Sequence, residues 1–309
     1  MVRTFLALAF SSALVAQQPP PAPAPPAAPP PGTDIWLARL TPAGLEQPIN
    51  ITNRAGYDNQ PSFTPDGKGI LFTRRDAEQT DIYLWDFTSR SSAPVRVIAT
   101  PESEYSPAVT PDAQGISVIR VEVDPSTPLG AGGAQRLWRF TREGQNAALV
   151  LRDVKPVGYH AWGPDGLLAL FVLGKPNTLQ VADSRTGRSR VVTQGIGRSI
   201  HRIPGRDTIS VLHTEGDVRT IKELDLKTRT LKPIVRAVDS ADGDYAWTPD
   251  AAILMSDGKT LKRWKGADWT TFADLAALGL SGASRMAISP DGKWLALVVP
   301  DRPGPETHD

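Results

Sequence analysis

The sequence predicts an all-β fold, a six-bladed β-propeller with four-stranded antiparallel blades. Three observations predict it: one phrase repeated six times at propeller spacing, a run of β-forming residues after each copy, and spare strands at both ends of the repeats. The phrase is an apolar residue, a small residue, then Pro-Asp-Gly or a near relative. Its copies are FTPDGKGILFT (63–73), VTPDAQGISVI (109–119), WGPDGLLALFV (162–172), IPGRDTISVL (203–212), WTPDAAILM (247–255) and ISPDGKWLALVV (288–299). Marked by Pro65, Pro111, Pro164, Pro204, Pro249 and Pro290, they are spaced by 46, 53, 40, 45 and 41 residues. A period in the forties built from short strands fits a four-stranded blade.

Each phrase joins the first two strands of a blade. Pro fixes φ, Asp bonds to its own backbone and Gly accepts a positive φ, which together preset a tight turn. The run that follows is almost continuously apolar, as in a strand covered on both faces. Two outer strands complete each blade: residues 81–87 and 95–99 in the first, 135–141 and 147–151 in the second. They are 178–183 and 189–194 in the third and 219–226 and 231–236 in the fourth. The fifth is least regular. Residues 260–265 supply its third strand, and 269–279 (WTTFADLAALG) show a Phe272/Leu275/Ala276 spacing that predicts a short helix ended by Gly279. After the sixth copy the chain has only residues 300–309 left, so that blade owns two strands. Residues 33–40 (TDIWLARL) and 47–52 (QPINIT) are the spare pair at the front. A two-plus-two closure of these with the strands of 285–299 seals the ring and removes the open edge.

Composition narrows the function. The chain of 309 residues carries 34 Lys+Arg and 33 Asp+Glu. Arg3 is the only charged residue before Thr33, so residues 33–309 hold 33 of each sign. A neutral body lacks the cationic excess that a nucleic-acid backbone or an anionic membrane surface requires. Cysteine is absent, which excludes disulfides, thiolate metal sites and a cysteine nucleophile. Residues 1–16 read as a secretory signal, with Arg3 ahead of an apolar run from Phe5 to Val15 and Ala16 at the cut. That run is too short to span a bilayer, which takes ~20 residues. Nine of the 29 prolines fall between Pro19 and Pro31, so residues 17–32 read as an extended polyproline II linker. The propeller is expected over 33–300 and a tail over 301–309. The expected location is periplasmic or extracellular, without membrane insertion after signal removal, and the expected state is a monomer.

The phrases PSFTPDGKGILFTRRDAEQTDIYLWD and MAISPDGKWLALVV resemble the WD-repeat-like blades of TolB-type propellers of bacterial envelopes, and the similarity runs over essentially all of 33–300. The resemblance implies a TolB-like six-bladed propeller in the envelope, most often a binding surface. Similar blades occur in the propellers of prolyl oligopeptidases and of some polysaccharide lyases, so the repeat defines no activity. TolB itself carries a separate amino-terminal α/β domain; here the proline-rich linker stands in that place.

Aligning the copies two residues before the apolar anchor gives Pro61, Pro107, His160, His201, Tyr245 and Met286. One step earlier stand Gln60, Ser106, Tyr159, Ile200, Asp244 and Arg285. Both rings are expected at the channel mouth. Tyr105, Tyr159 and Tyr245, with Arg285 and Asp244, are candidate partner-binding residues, since aromatic and Arg groups dominate contact energies; packing between blades is the other reading of the tyrosines. His160 and His201 lie in neighbouring blades, and His213 ends the second strand of blade four. Near Glu104, Asp242 or Asp244 these three imidazoles are the candidate ligands of a divalent metal. The aromatics at the anchor itself, Phe63, Trp162 and Trp247, are expected in the core.

No catalytic motif accompanies the repeat. GLSGAS (279–284) lacks the spacing and setting of a nucleophile elbow. GAGG (130–133) lies in a loop with no helix after it, so it is no phosphate-binding fingerprint. The first expectation is therefore a non-catalytic propeller, without cofactor, that binds a protein or peptide through its channel face in the envelope. The alternative is a metal-assisted lyase or hydrolase acting on a saccharide or small ester through His160, His201 and His213.

Overall fold

The computed structural model describes residues 31–86, 93–122, 134–239 and 243–301. The signal-like segment, most of the linker, GAGG (130–133), Asp242 and the tail beyond Asp301 lie outside the described residues. The described strands begin with β1 (Thr33–Thr41) and β2 (Gly44–Asn50). Blade one follows as β3 (Asp58–Phe63), β4 (Gly69–Asp76), β5 (Gln79–Asp86) and β6 (Val95–Ile98), and blade two as β7 (Ser103–Val109), β8 (Gly115–Glu122), β9 (Ala134–Thr141) and β10 (Ala148–Leu149). Blade three comprises β11 (Val157–Trp162), β12 (Leu167–Val172), β13 (Thr178–Asp183) and β14 (Ser189–Gln194). Blade four comprises β15 (Ile196–Arg202), β16 (Ile209–Glu215), β17 (Val218–Asp225) and β18 (Thr230–Arg236). Blade five is β19 (Tyr245–Trp247), β20 (Ile253–Ser256), β21 (Thr260–Trp264) and β22 (Thr270–Asp274), and the chain ends with β23 (Met286–Ile288) and β24 (Trp294–Pro300).

These 24 strands form six four-stranded antiparallel sheets, five of them in simple sequence order. The sixth has the order β2-β1-β24-β23, two strands from each end of the chain. Register runs without a break from Thr33↔Pro300 through Ile35↔Val298 to Arg39↔Trp294. The predicted closure is therefore formed, with its outer strand at Gly44–Asn50 rather than 47–52. Past Asn50 the backbone leaves the sheet but stays tied to it, the Ile51 amide donating to the Ile35 carbonyl and the Ile35 amide to Thr52 Oγ1.

The core is six wedges rather than one centre, and each wedge fills one blade-to-blade interface. Alternation along the second strand of a blade explains this. In β12, Leu168, Leu170 and Val172 pack toward blade two, whereas Ala169 and Phe171 pack toward blade four. In β4, Ile70 and Phe72 meet blade six while Leu71 meets blade two. Such a strand is apolar on both faces because both faces meet a neighbouring blade. The wedge between blades six and one combines Ile35, Leu37, Ala296 and Val298 with Ile70, Phe72 and Trp85, so both ends of the propeller share one core.

The turn phrase has a common chemistry that includes the residue before proline. Thr64 Oγ1 donates to Asp66 Oδ1 at 2.6 Å and accepts from the Gly69 amide at 2.9 Å. Thr110 with Asp112, Thr248 with Asp250 and Ser289 with Asp291 repeat the hydroxyl–carboxylate bond, and each hydroxyl also receives an amide across the turn. This hydrogen bond is the main cause that holds Asp66, Asp112 and Asp291 below the usual carboxylate range; Asp250 is held at about 2 by Lys265 first and then by the Thr248 hydroxyl. Blade three, with Gly163 before its proline, uses a 3-10 turn instead.

Residues 269–279 do not form the predicted helix. Thr270–Asp274 is the outer strand of blade five, paired from Thr260↔Asp274 to Arg263↔Thr270. The edge of β21 takes this segment, with its two β-branched threonines, as its partner, and Leu275 and Leu280, both fully buried, then turn into the wedge between blades five and six. The helix-like spacing was thus that of a strand followed by a buried turn. No helix among the described residues is long and apolar enough to cross a membrane.

Candidate functional site

A cavity of about 460 Å³ runs along the ring axis, lined by the inner strand of every blade: residues 60–63, 106–109, 159–162, 198–202, 244–247 and 285–288. All twelve residues of the two expected rings line it. Irregularities in the inner strands turn them toward the axis. Register slips between Asn59 and Ser62, and between Tyr105 and Ala108. Gln60 and Ser106 there adopt φ of +58° and +52°, and the following Pro61 and Pro107 offer no ladder donor, as suits a bulge. Gln60 Oε1 accepts from the Ser106 amide and from Thr73 Oγ1, both at 2.7 Å, which fastens blade one to blade two at the mouth.

The five candidate partner-binding residues fall in four settings. Tyr159 and Arg285 meet: Arg285 Nη2 donates to the Tyr159 hydroxyl oxygen at 2.7 Å, and the guanidinium lies 5.0 Å from the ring centroid. Blade six stands opposite blade three in the ring, so this contact bars the channel from wall to wall. Asp244 is also in the wall but is almost fully buried and already engaged. It accepts from Arg198 Nε at 3.0 Å and from Ser199 Oγ at 2.6 Å. Tyr105 is half-buried and packs against the wedge between blades two and three.

Tyr245 is not the surface anchor expected of it. Its side chain is 1% exposed and its hydroxyl donates to Ser210 Oγ at 2.8 Å, an oxygen that also receives Trp247 Nε1. Trp162 makes the equivalent bond to Ser117 Oγ at 2.9 Å. In each case a tryptophan at the anchor position staples its blade to the second strand of the preceding one. Unlike Tyr245, both tryptophans and Phe63 keep part of their surface toward the channel.

The expected three-histidine cluster is not formed. His160 and His201 are in the wall, but His213 is buried elsewhere, its Nε2 beside Thr193 Oγ1 (3.2 Å) and the Gln194 carbonyl (3.0 Å) of blade three. It faces blade three because it sits on the flank of β16 that meets β14, the outer strand of that blade. Glu104 is fully buried, beside Arg120 and Thr100 rather than the imidazoles. Among the described residues no three His, Asp or Glu side chains are grouped to hold a metal ion.

His160 and His201 each keep one buried ring nitrogen without a partner, Nδ1 and Nε2 respectively. His160 Nε2 lies 2.8 Å from Ser117 Oγ, whose own proton is directed to the Ala108 carbonyl at 3.1 Å. That pattern makes Nε2 the donor and leaves Nδ1 a bare acceptor. Burial holds both imidazoles down at about 4, so both are neutral at pH 7.

One mouth residue had no sequence signal. Tyr57 is half-buried, and burial pushes its phenol up to about 12, against the opposing charges of Arg285 and Arg198 and with Tyr159 and Tyr105 close enough to add to the shift. No other copy of the repeat carries an aromatic there. Its place is set by the ring closure, through the Thr33–Tyr57 bridge and the Thr33 amide bonded to the Gly56 carbonyl.

Fold and site together define a closed six-bladed β-propeller with a channel of mixed polar and apolar lining along its axis. No protein-family model and no curated protein matches the chain. Solved structures do. A "putative TolB" from Agrobacterium tumefaciens aligns with a TM-score of 0.65 at 16% identity, over 89% of this chain and 100% of that one. TolB from Acinetobacter baumannii aligns at 0.54 and 16%, over 88% of this chain and 64% of its own. An oligogalacturonate lyase in complex with manganese aligns at 0.55 and 13%, over 82% and 80%. At these identities the likeness shows the fold, a TolB-like six-bladed β-propeller.

Proposed function

We propose that this chain is an exported, non-catalytic propeller of the bacterial envelope that binds a protein or peptide through its channel face. One observation carries the reading: the channel is lined at equivalent positions by all six blades yet is not filled, and it holds about 460 Å³ of space. Phenols at its mouth suit contact with a partner. The TolB-like fold supports an envelope role, and the signal-like segment 1–16 supports export. The metal-assisted alternative has two of its three imidazoles in the wall and lacks the third.

The test is capture of envelope proteins by the immobilised propeller, compared with two variants. Ser62→Trp narrows the channel from a wall position; Val191→Trp adds the same group on an outer strand that is 58% exposed. Loss of the captured protein with Ser62→Trp alone supports the reading. Equal capture by all three forms, or no saturable capture by any, overturns it.

A further inference from the structure

The channel is electropositive in a protein whose body is neutral. Four charged side chains line it: Arg198, Arg202, Arg285 and Asp244. With both wall imidazoles neutral, the wall carries a net charge of +2, against +1 for the whole chain. A narrow, partly desolvated cleft of one sign concentrates field and draws in the opposite charge.

The three guanidinium groups are not equivalent. Arg198 is neutralised by Asp244. Arg202 is exposed at the far end, beside Pro204. Arg285 is partly buried within the wall, and among the described residues its guanidinium meets the hydroxyl and ring of Tyr159. No carboxylate among the described residues pairs with it. A guanidinium has five donors, and among the described residues one hydrogen bond, to Tyr159, is made by them. The Tyr57 phenol stands nearby and remains a neutral donor throughout the physiological range. Donors fixed in the wall and a positive charge that no carboxylate among the described residues compensates are what a carboxylate receptor requires, because a guanidinium fork binds a carboxylate bidentately.

We propose that Arg285 is the receptor for a carboxylate of the bound peptide, a chain terminus or an acidic side chain, which replaces the Tyr159 oxygen as the acceptor of the Arg285 fork. This rests on the channel being the peptide-binding surface. It adds a direction: an acidic or carboxyl-terminal group enters from the mouth formed by blades three and six.

Isothermal titration of the full chain at pH 7 and low salt with acetate, N-acetyl-triglycine, its carboxyl amide and inorganic phosphate tests it. The free acid is expected to bind at least about tenfold more tightly than the amide, the scale of one charge-assisted hydrogen-bonded pair. Arg285→Gln should abolish the preference and Arg285→Lys should retain part of it; thermal melting of each variant confirms that it is folded. Acid and amide binding alike, the preference surviving in Arg285→Gln, or phosphate displacing the acid at equal concentration would each overturn the carboxylate assignment. Acetate bound in an Arg285-dependent way with no response to the acid peptide would keep the anion site and remove the peptide reading on which it was built. Response to neither acetate nor the acid peptide overturns the site whatever the amide does.

Discussion

Replacing Ile35 by alanine tests the closure of the ring at the middle of the β1–β24 junction. Ile35 is fully buried, pairs with Val298 across the junction and packs in the wedge shared by blades six and one. The change removes three carbon groups at ~0.8 kcal/mol each, and the space left behind raises the cost to about 3 kcal/mol. At roughly 2–4 °C per kcal/mol for a domain of this size, Tm should fall by about 6–12 °C. Val298→Ala removes two groups and should cost about 2 kcal/mol. Because the two side chains face each other, the double variant should depart from the sum by about 0.5 kcal/mol or more. Ile82→Ala, equally buried between blades one and two, gives the reference for a junction internal to the sequence. Thermal melting followed by tryptophan fluorescence reads all four proteins. A drop below about 2 °C for Ile35→Ala beside a full drop for Ile82→Ala, or strict additivity with Val298→Ala, would refute the claim that the two ends of the propeller form one blade.

Three further outcomes follow from particular contacts. Thr248→Val removes the donor to Asp250 and the acceptor of the Ala252 amide, at an expected cost of about 1–2 kcal/mol in urea unfolding at pH 7. Lys265 and then the Thr248 hydroxyl lower folded Asp250 from 3.8 to about 2, so the share of stability that Thr248 adds to the ionised form is complete above pH 4 and lost on descent toward pH 2, and the deficit should shrink by that share across the window. Glu104 has the opposite sign: burial raises it to about 7, the folded form holds the extra proton, and its contribution falls as pH rises from about 4.5 to 7. Glu104→Gln should therefore gain stability relative to the wild type on moving from pH 5 to pH 8, and a constant difference across that range contradicts the assignment. Gly144→Ala would set a methyl carbon 1.7 Å from the Val97 carbonyl oxygen at φ +74°, whereas Gly187→Ala at φ +69° meets nothing within 4 Å. The first should cost at least about 2 kcal/mol and the second about 1; equal losses would show that backbone φ alone matters at both.

The ring itself was legible because its signals are local and repeated. Pro-Asp-Gly turns, doubly apolar second strands and orphan strands at the two ends each have one structural solution, and together they implied the pairing of β1 with β24. The channel wall was legible for the same reason, since aligned copies place aligned residues on the axis. What failed depended on surroundings that no repeat encodes. Tyr245 and His160 occupy equivalent positions, yet Tyr245 is sealed and His160 keeps a bare nitrogen. His213 was placed by strand end alone, without regard to which flank of β16 it occupies. Residues 269–279 carried a helical spacing that the open edge of β21 overrode. Two signals were present and unread. One is the Ser or Thr before the turn proline, the acceptor for an amide across the turn. The other is the spacing of 16 that sets Asp58 opposite Arg74 and Glu104 opposite Arg120.

The central claim is that the channel, rather than the outer strands, is the working surface. A photoreactive phenylalanine placed at Tyr57, at the mouth, and in a second protein at Val191, on the outer edge of blade three, tests it in living cells. A discrete cross-linked species is expected from position 57, suppressed when Ser62→Trp narrows the channel, and none from position 191. Cross-linking from position 191 with none from 57 would contradict it.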